Sequence, residues 1–562
     1  MDNIRIFCEN DRQHYEFPLG TSLQEMAAVI CPDGAILAAL VDNQLKELRH
    51  SIIAPHIVNF IGYDDAEGRR TYIRSLCFVL QKAVRELYPE NILVIDYSLP
   101  SGLYCEIREK EEHQDGRPKV RAVSDEEISR ISDRMKEIID ADLPFSKAKL
   151  TMGDALALFE ANGQPEKVNL VHSLGRILYS VYYLDGLADT FHGPLVPSTG
   201  CLKTFDLVAF SNGFCLQYPL DGNSGKVLPM KRQSRIAAAL KEHSDWCAIM
   251  GVKSVGALNK VVQNGGIVDL INLSEALHER KYAEIANMIY ARKDNVKIVF
   301  IAGPSSSGKT STSKRLAIQC RILGLNPKVI ELDNYFVDRE HTPKDENGEY
   351  DFEALGAMDL KFLGQQLNYL LDGKEVEIPK FNFKTGQRCF DGNIMKLEEK
   401  DILIMEGIHA LNPAMIPDVD QSKVFRVYAS ALTSLSVDEN NNISTADNRL
   451  MRRMIRDNRT RGLVPEETIM RWASVRRGEN RNIFPFQENA DAIFNSAHIF
   501  ELPVLKHYAE PLLRRILPSS PAYTEATRIL KFLSYIIELS PAEIAAIPPT
   551  SILREFIGGQ TL

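Results

Sequence analysis

Several function classes are excluded by what this chain lacks. Its 562 residues contain no run of 18 apolar residues, so no membrane span is expected. The opening Met1-Asp2-Asn3-Ile4-Arg5 has neither the basic nor the apolar stretch of a secretory signal. Nine cysteines are scattered singly (8, 31, 77, 105, 201, 215, 247, 320 and 389) and none forms C-x-x-C. That spacing argues against a zinc knuckle or a redox pair and suits reduced thiols in a cytoplasm. There is no basic excess: the net charge is −9, which gives no general field for DNA or RNA. No internal repeat or low-complexity tract breaks the chain. What remains is ordinary globular composition, 44% hydrophobic and 25% charged, and enough length for about three or four domains.

The most informative segment is Gly303-Pro304-Ser305-Ser306-Ser307-Gly308-Lys309-Thr310, which fits G-x-x-x-x-G-K-[ST]. An apolar, β-branched run (Val296–Ala302) precedes it, and Ser311–Ile318 reads as a helix. Strand, glycine loop and helix together form a phosphate cradle. Glycines let backbone N–H groups face the anion, and the helix N-terminus adds partial positive charge. Lys309 is placed to reach the β- and γ-phosphates, and the Thr310 hydroxyl to bind Mg²⁺. Gly303 to Thr310, with Ser311, are the expected ATP contacts.

Beyond the loop, strands and helices alternate over about 291–510, which predicts a parallel α/β sheet. Functional groups then belong at the carboxyl ends of strands. Asp333 closes Lys328–Leu332, and Glu406 closes Asp401–Met405. One acid in such a place serves Mg²⁺, and a second can accept the proton of an attacking hydroxyl. Arg449, Arg452, Arg453 and Arg456 follow at i, i+3, i+4, i+7, on one face of a helix, with Arg459 and Arg461 before Gly462. Their mutual repulsion calls for an anion, and a triphosphate under a closing lid supplies it.

These pieces resemble the uridine kinase/phosphoribulokinase family of P-loop kinases. The matching residues are the phosphate loop, Asp333-Asn334-Tyr335-Phe336, Ile378–Phe383, Glu406-Gly407-Ile408, Arg453…Arg456-Asp457…Arg461-Gly462, and Asn489–Phe494. The resemblance implies that Asp333 is the general base for a ribose 5′-hydroxyl. It also implies that Thr310 and Glu406 hold Mg²⁺, and that Lys309, Arg453, Arg456 and Arg461 neutralise the transferring phosphoryl group. Tyr335, Glu353, Phe381, Arg388 and Arg471 are the expected substrate contacts. Here the chain departs from uridine–cytidine kinases: Phe381 replaces a Tyr, Gly386 a base-reading His, Glu353 a sugar-binding Asp, and Arg471 a Gln. Tyr350, Asp351, Lys384 and Arg388 are available to rebuild recognition. Lost base-reading donors relax base choice.

The N-terminal half carries a second resemblance. Strands at Ile4–Phe7 and Tyr15–Phe17, a helix over 23–30 capped by Thr21 or Ser22, and strands around 36–41 and 47–53 give the order ββαββ. Residues 1–60 so resemble the β-grasp TGS domain of threonyl-tRNA synthetases. Residues 61–225 resemble the editing domain of the same enzymes, through Arg74–Pro89, Glu127–Phe145 and Asp189–Gly200. That family has H-x-x-x-H where this chain has Arg74 and Phe78, and C-x-x-x-H where it has Phe191 and Leu195. Phe and Leu donate no lone pair, so zinc chemistry is not expected, and Arg74 is left as an anion contact. Residues 226–290 read as a helical connector and 511–562 as a helical tail, with a helix over 525–539 and a proline stop at Pro541.

The fold class expected is thus multidomain: a β-grasp unit, an α+β editing-like domain and a C-terminal parallel α/β kinase domain. The expected activity is ATP- and Mg²⁺-dependent phosphorylation of a nucleoside 5′-hydroxyl. The alternatives are a phosphosugar kinase, favoured by basic residues such as Lys380, Lys384, Arg388 and Arg471, or an RNA- or tRNA-linked ATP-binding regulator. The expected partners are ATP, the small-molecule acceptor and further copies of the chain. No membrane partner is expected, and RNA binding has no support from net charge.

Overall fold

The computed structural model describes every residue except 1–2, 33, 113–117, 221–224, 231–232, 345–347, 349 and 383–384; the side chains of 110–112 and 118 are also outside the description. The candidate Lys384 therefore lies outside the described residues.

The first unit is a five-stranded sheet in the order Gln13–Pro18, Asn3–Cys8, Ile57–Ile61, Ala38–Val41, Gln44–Lys46, with one helix, Leu23–Ile30, against it. Ser22 caps that helix in a reciprocal box with Glu25. The strand expected over 47–53 is absent. The carbonyls of Leu48 and His50 instead accept the N–H groups of Gln24 (2.7 Å) and Leu23 (2.9 Å). Helix-start donors capture that backbone, and the last strand forms further on, at Ile57–Ile61.

The helix Ala66–Leu87 follows, longer than its motif suggests. It joins the β-grasp unit closely: a Cβ on Gly68 would lie 1.8 Å from the Gly62 carbonyl oxygen. Beyond it come an antiparallel sheet (Asp206–Phe210, Gly213–Gln217, Gly102–Glu112, Asn91–Leu99, with Pro118–Arg121) and a three-stranded sheet (Leu187–Asp189, Leu178–Leu184, Ser146–Thr151). At the positions where the synthetases carry zinc-type ligands, Phe78, Phe191 and Leu195 are core residues. The Phe78 ring lies 5.1 Å from Phe191 and 5.9 Å from Phe145. Arg74 turns inward, donating to the Pro194 carbonyl (3.2 Å) and the Thr71 hydroxyl (3.1 Å), and burial lowers its pKa to about 10.

The C-terminal sheet is parallel, in the order Asn326–Glu331, Asp401–Glu406, Ile298–Ala302, Val424–Ser430, Ala492–Asn495. The phosphate-loop strand is central, and every residue of Ile298–Ala302 is buried. Two segments expected to be peripheral belong to its core. The helix Ile267–Tyr290, placed in the connector by sequence, packs Tyr282, Ile285, Ala286 and Ile289 against Val299, Ile301 and Leu316. From the C-terminal segment Ile552 joins the same cluster, and Leu553 and Phe556 are completely buried beside the Leu450 and Met451 side chains. The helix expected over 525–539 ends at Leu533. Pro541 starts the next helix rather than stopping one, because its missing N–H falls at a position with no intrahelical partner.

The two halves share apolar cores. Tyr97, Leu99, Tyr104 and Cys215 from the N-terminal sheet pack in one cluster with Ile298, Phe300 and Tyr428. A polar excursion after Val424–Ser430 also wedges between them, with residues 431–441 all buried. Its Asn440 and Asn441 amides donate to the carbonyls of Leu93 and Thr190, both at 3.1 Å. Among the described residues, no helix is long and apolar enough to cross a membrane.

Candidate active site

The site grows from the end of the central strand. Gly303 is required there: a Cβ would sit 2.0 Å from the Ala429 carbonyl oxygen. Gly308 has φ +80° and caps the helix Lys309–Ile322. Between them the loop buries Ser306 and Ser307, whose hydroxyl oxygens have no hydrogen-bond partner. Buried polar atoms without partners, beside a helix N-terminus, fit an anion.

Three acids lie within electrostatic reach of Lys309 on this loop. Glu406 ends the neighbouring strand, in register with Ile301, and accepts the Thr310 hydroxyl at 2.6 Å. Burial pushes its carboxyl up to about 7; the nearby Lys309 ammonium opposes this and Asp333 adds to it. Asp333 sits in the turn after Asn326–Glu331, and burial raises its pKa against the pull of Lys309 and Arg461. Glu353 is pushed up to about 7 by burial, reinforced by Glu479 and opposed by Arg453 and Lys309. Acids held this way in a cleft suit proton acceptance or cation binding.

The arginine helix spans Thr445–Arg461. Its four-residue array is not all available to a triphosphate, which corrects the sequence expectation. Arg449 and Arg452 are buried in ion pairs with Glu479 and Glu501. Arg449 Nη2 lies 2.7 Å from Glu479, and Arg452 Nη2 lies 2.6 Å from Glu501. Arg453, Arg456 and Arg461 instead surround one buried carboxylate, Asp457, at 3.3, 2.9 and 3.4 Å. Arg453 also donates to the Ser305 hydroxyl at 2.9 Å, and Arg449 to the Ser305 carbonyl at 3.1 Å, so both halves of the array touch the loop. Electrostatic repulsion along the helix is offset by internal acids, and the loop is braced by them: Glu479 accepts the Ser305 N–H at 3.1 Å.

Glu353 is the one proposed substrate contact brought among these groups. Tyr335 is completely buried and donates to Gln366 at 2.9 Å, so its hydroxyl is spent in the core. Arg388 pairs with Asp359 at 2.9 Å and lies over the Phe362 ring. Lys380 lies 3.6 Å from Asp391. Phe381 is half-buried in a hairpin strand, its ring 5.7 Å from Phe336. Arg471 is exposed on the helix Pro465–Asn482. Gly386 makes the hairpin turn with φ +72°, where a Cβ would lie 2.8 Å from Arg339. A histidine is thus sterically disfavoured at that position. Ser311, expected to meet the nucleotide, donates its N–H and hydroxyl to Glu555.

Sequence reading missed Glu479, Glu501 and Glu555. Each acts on the loop or the arginine helix from far along the chain, and no local spacing marks them. Of the two acids near the arginines that sequence offers as partners, Asp457 takes that place, whereas Asp447 pairs with Arg528 at 2.7 Å.

Residues 298–501 match the model of the Phosphoribulokinase / Uridine kinase family. The N-terminal region is similar to threonine–tRNA ligases of Francisella tularensis, including those of strains SCHU S4 and U112, with 28% identity over 216 residues. That match covers 38% of this chain and 32% of each ligase, so the chain spans about a third of the length of the curated relatives it matches. Among solved structures, one described as a possible uridine kinase from Bacillus stearothermophilus is 18% identical, with a TM-score of 0.27, covering 38% of this chain and 98% of that one. The YGR205w protein is 17% identical, with a TM-score of 0.27, covering 39% and 88%. The family match, the central phosphate loop and the parallel sheet make this C-terminal region similar to the P-loop kinases of that family.

Proposed function

We propose that the protein transfers the γ-phosphoryl group of ATP to the hydroxyl of a nucleoside-type alcohol. The supporting observation is the convergence of Asp333, Glu353 and Glu406 on Lys309, Arg453 and Arg461 at the mouth of the phosphate loop. In this reading the loop amides and Lys309 hold the phosphates. Asp333 takes the proton as the acceptor oxygen bonds to the γ-phosphorus and the bond to the leaving ADP oxygen breaks. Glu353 accepts a hydrogen bond from a second acceptor hydroxyl. Arg453, Arg456 and Arg461 stabilise charge on the moving group, and Asp457 fixes their heads. The buried carboxylate of Glu406 and the Thr310 hydroxyl bonded to it are an oxygen pair suited to Mg²⁺, which when bound supplies positive charge to the phosphate oxygens.

A neutral acceptor fits better than a phosphosugar. Arg388 and Lys380, two of the four cations that favoured an anionic acceptor, have Asp359 and Asp391 as partners, and a third, Arg471, is exposed on its helix. The β-grasp and editing-like regions serve this reading as a wall of the kinase domain rather than as a hydrolase, because Phe78, Phe191 and Leu195 fill the positions that would carry ligands. A coupled ATP-consumption screen of the full chain against nucleosides and phosphosugars tests the proposal. Turnover with a nucleoside that disappears in Asp333→Asn supports it. Turnover only with phosphorylated sugars replaces it with the phosphosugar reading, and none with either class refutes it.

A further inference from the structure

The N-terminus of the phosphate-loop helix is already occupied. The intrahelical ladder begins with Thr312 N–H to the Gly308 carbonyl, 2.9 Å. The N–H groups before it, Ser311 included, have no helical partner and are the donors a phosphate cradle offers. Ser311 gives its N–H to Glu555 Oε2 at 3.3 Å, and its hydroxyl to the same oxygen. Gln560 donates to that hydroxyl at 2.7 Å. Ile552 presses on Gly308, so that a Cβ there would lie 2.3 Å from Ile552 Cδ1. Further along the same segment, Arg315 binds the Thr550 carbonyl and Lys314 the Leu562 carbonyl at 3.0 Å. Arg459 holds the carbonyls of Glu555 (2.9 Å) and Phe556 (3.2 Å). Three cations of the kinase core thus clasp one short stretch of chain.

We infer that Thr550–Leu562 is a built-in occupant of the nucleotide site: the Glu555 carboxylate stands in for a phosphate at Ser311, and ATP binds fully only when that side chain swings off Ser311 and Gln560, beyond the glycine pair, withdraws. This rests on the nucleotide reading of the loop. A carboxylate and a phosphate cannot both accept from one N–H and one hydroxyl, and their like charges repel at such range. The segment has a fixed root and a movable part. Leu553 and Phe556 are anchored in the core. Gly558 and Gly559, at φ +98° and +80°, follow at once and allow the backbone beyond them to rearrange at little cost. ATP affinity is then scaled by the fraction of molecules with the segment displaced.

The test is calorimetric titration of the full-length protein and of Glu555→Ala with ATP and Mg²⁺, alongside hydrogen exchange of wild type with and without ATP. The expected result is about tenfold tighter ATP binding by Glu555→Ala, the scale of one charge-assisted hydrogen bond. Faster exchange at 558–562 when ATP binds wild type is also expected, and this readout needs no variant to fold. Equal or weaker binding by Glu555→Ala, or slower exchange of the segment with ATP, overturns the inference while leaving the nucleotide reading intact. Failure of wild type and variant alike to bind ATP overturns the nucleotide reading, and the occupant with it.

Discussion

Replacing Lys167 by Met should loosen the joint between the N-terminal half and the kinase domain. Lys167 is 1% exposed, on the helix Pro165–Leu174. Its ammonium lies 2.9 Å from Asp189, 3.4 Å from Asp438 and 3.9 Å from Glu439, and donates to Asn440 at 2.7 Å. Asp189 belongs to the editing-like region, whereas Asp438, Glu439 and Asn440 belong to the excursion from the kinase sheet. At an effective dielectric constant of about 20, each attraction is worth roughly 4–6 kcal/mol, most of it offset by the desolvation of four buried groups. Removing the cation alone leaves that desolvation uncompensated and should cost about 3–5 kcal/mol. For a unit of about 150–250 residues that lowers the unfolding midpoint by about 6–20 °C. The loss should be larger at high pH. Burial already pushes Glu439 up to about 7, so below that pH protonation relieves the unpaired acids. Without the lysine the raised folded-state pKa values of Glu439 and Asp189 lose the charge that opposes them, and each additional proton held in the folded state costs about 1.4 kcal/mol of stability per pH unit gained. The deficit should therefore grow by about 2–3 kcal/mol between pH 5.5 and 8. Thermal unfolding at both pH values, read by far-ultraviolet circular dichroism and by tryptophan fluorescence, measures it. Both tryptophans, Trp246 and Trp472, lie outside residues 1–225, so early loss of the N-terminal half appears in dichroism before fluorescence. A midpoint change worth less than about 1 kcal/mol, or one independent of pH, would refute the reasoning.

Further predictions concern the site and the joints. Asp333→Asn should lower kcat by about 10²–10⁴ with ATP affinity kept; unchanged turnover in a steady-state assay removes Asp333 as the base. Glu439→Gln should flatten the wild type's stability profile. The raised carboxyl makes wild-type stability fall as pH rises from about 4.5 to about 7, so denaturant midpoints of the two proteins should converge at acid pH and separate towards neutrality, the variant being the more stable. Gly68→Ala should destabilise by at least about 1–3 kcal/mol through the clash with the Gly62 carbonyl; a wild-type melting temperature would show that this junction yields. Gly386→His, which restores the family's base-reading residue, should not sharpen nucleoside choice, because φ +72° and the Arg339 contact displace the turn. Relative kcat/KM for uridine and other nucleosides is the measurement.

The donor half of the site was legible in sequence because its parts are contiguous. A strand, a glycine loop and a helix start must follow one another to make a phosphate cradle, so Gly303–Thr310 carried its own context. Glu406 was legible for a related reason: an acid closing an apolar strand in a parallel sheet falls at the edge where ligands bind. The acceptor half was less legible. Tyr335 and Arg388 have the right chemistry for substrate contacts, but their partners Gln366 and Asp359 lie 31 and 29 residues away, and those pairings turn them inward. The same limit applied to the strand expected at 47–53: the start of the Leu23–Ile30 helix claimed the carbonyls of Leu48 and His50.

The sequence by itself determined the phosphate loop, the parallel α/β sheet around it, the two acids at its strand ends and the replacement of the editing-domain ligands by Phe78, Phe191 and Leu195. Each of these depends on residue identity and short-range order. Only the tertiary structure decided which charges remain for a ligand. Arg449 and Arg452 are consumed by Glu479 and Glu501, 30 and 49 residues on, and the last donor of the cradle is taken by Glu555, 244 residues from Ser311. The stretch Asp438-Glu439-Asn440-Asn441 is polar enough to pass for a surface loop, yet it is buried against Lys167. The physical reason is common to all three: a buried charge is tolerable only with its partner, and the partner is chosen by the fold, not by distance along the chain.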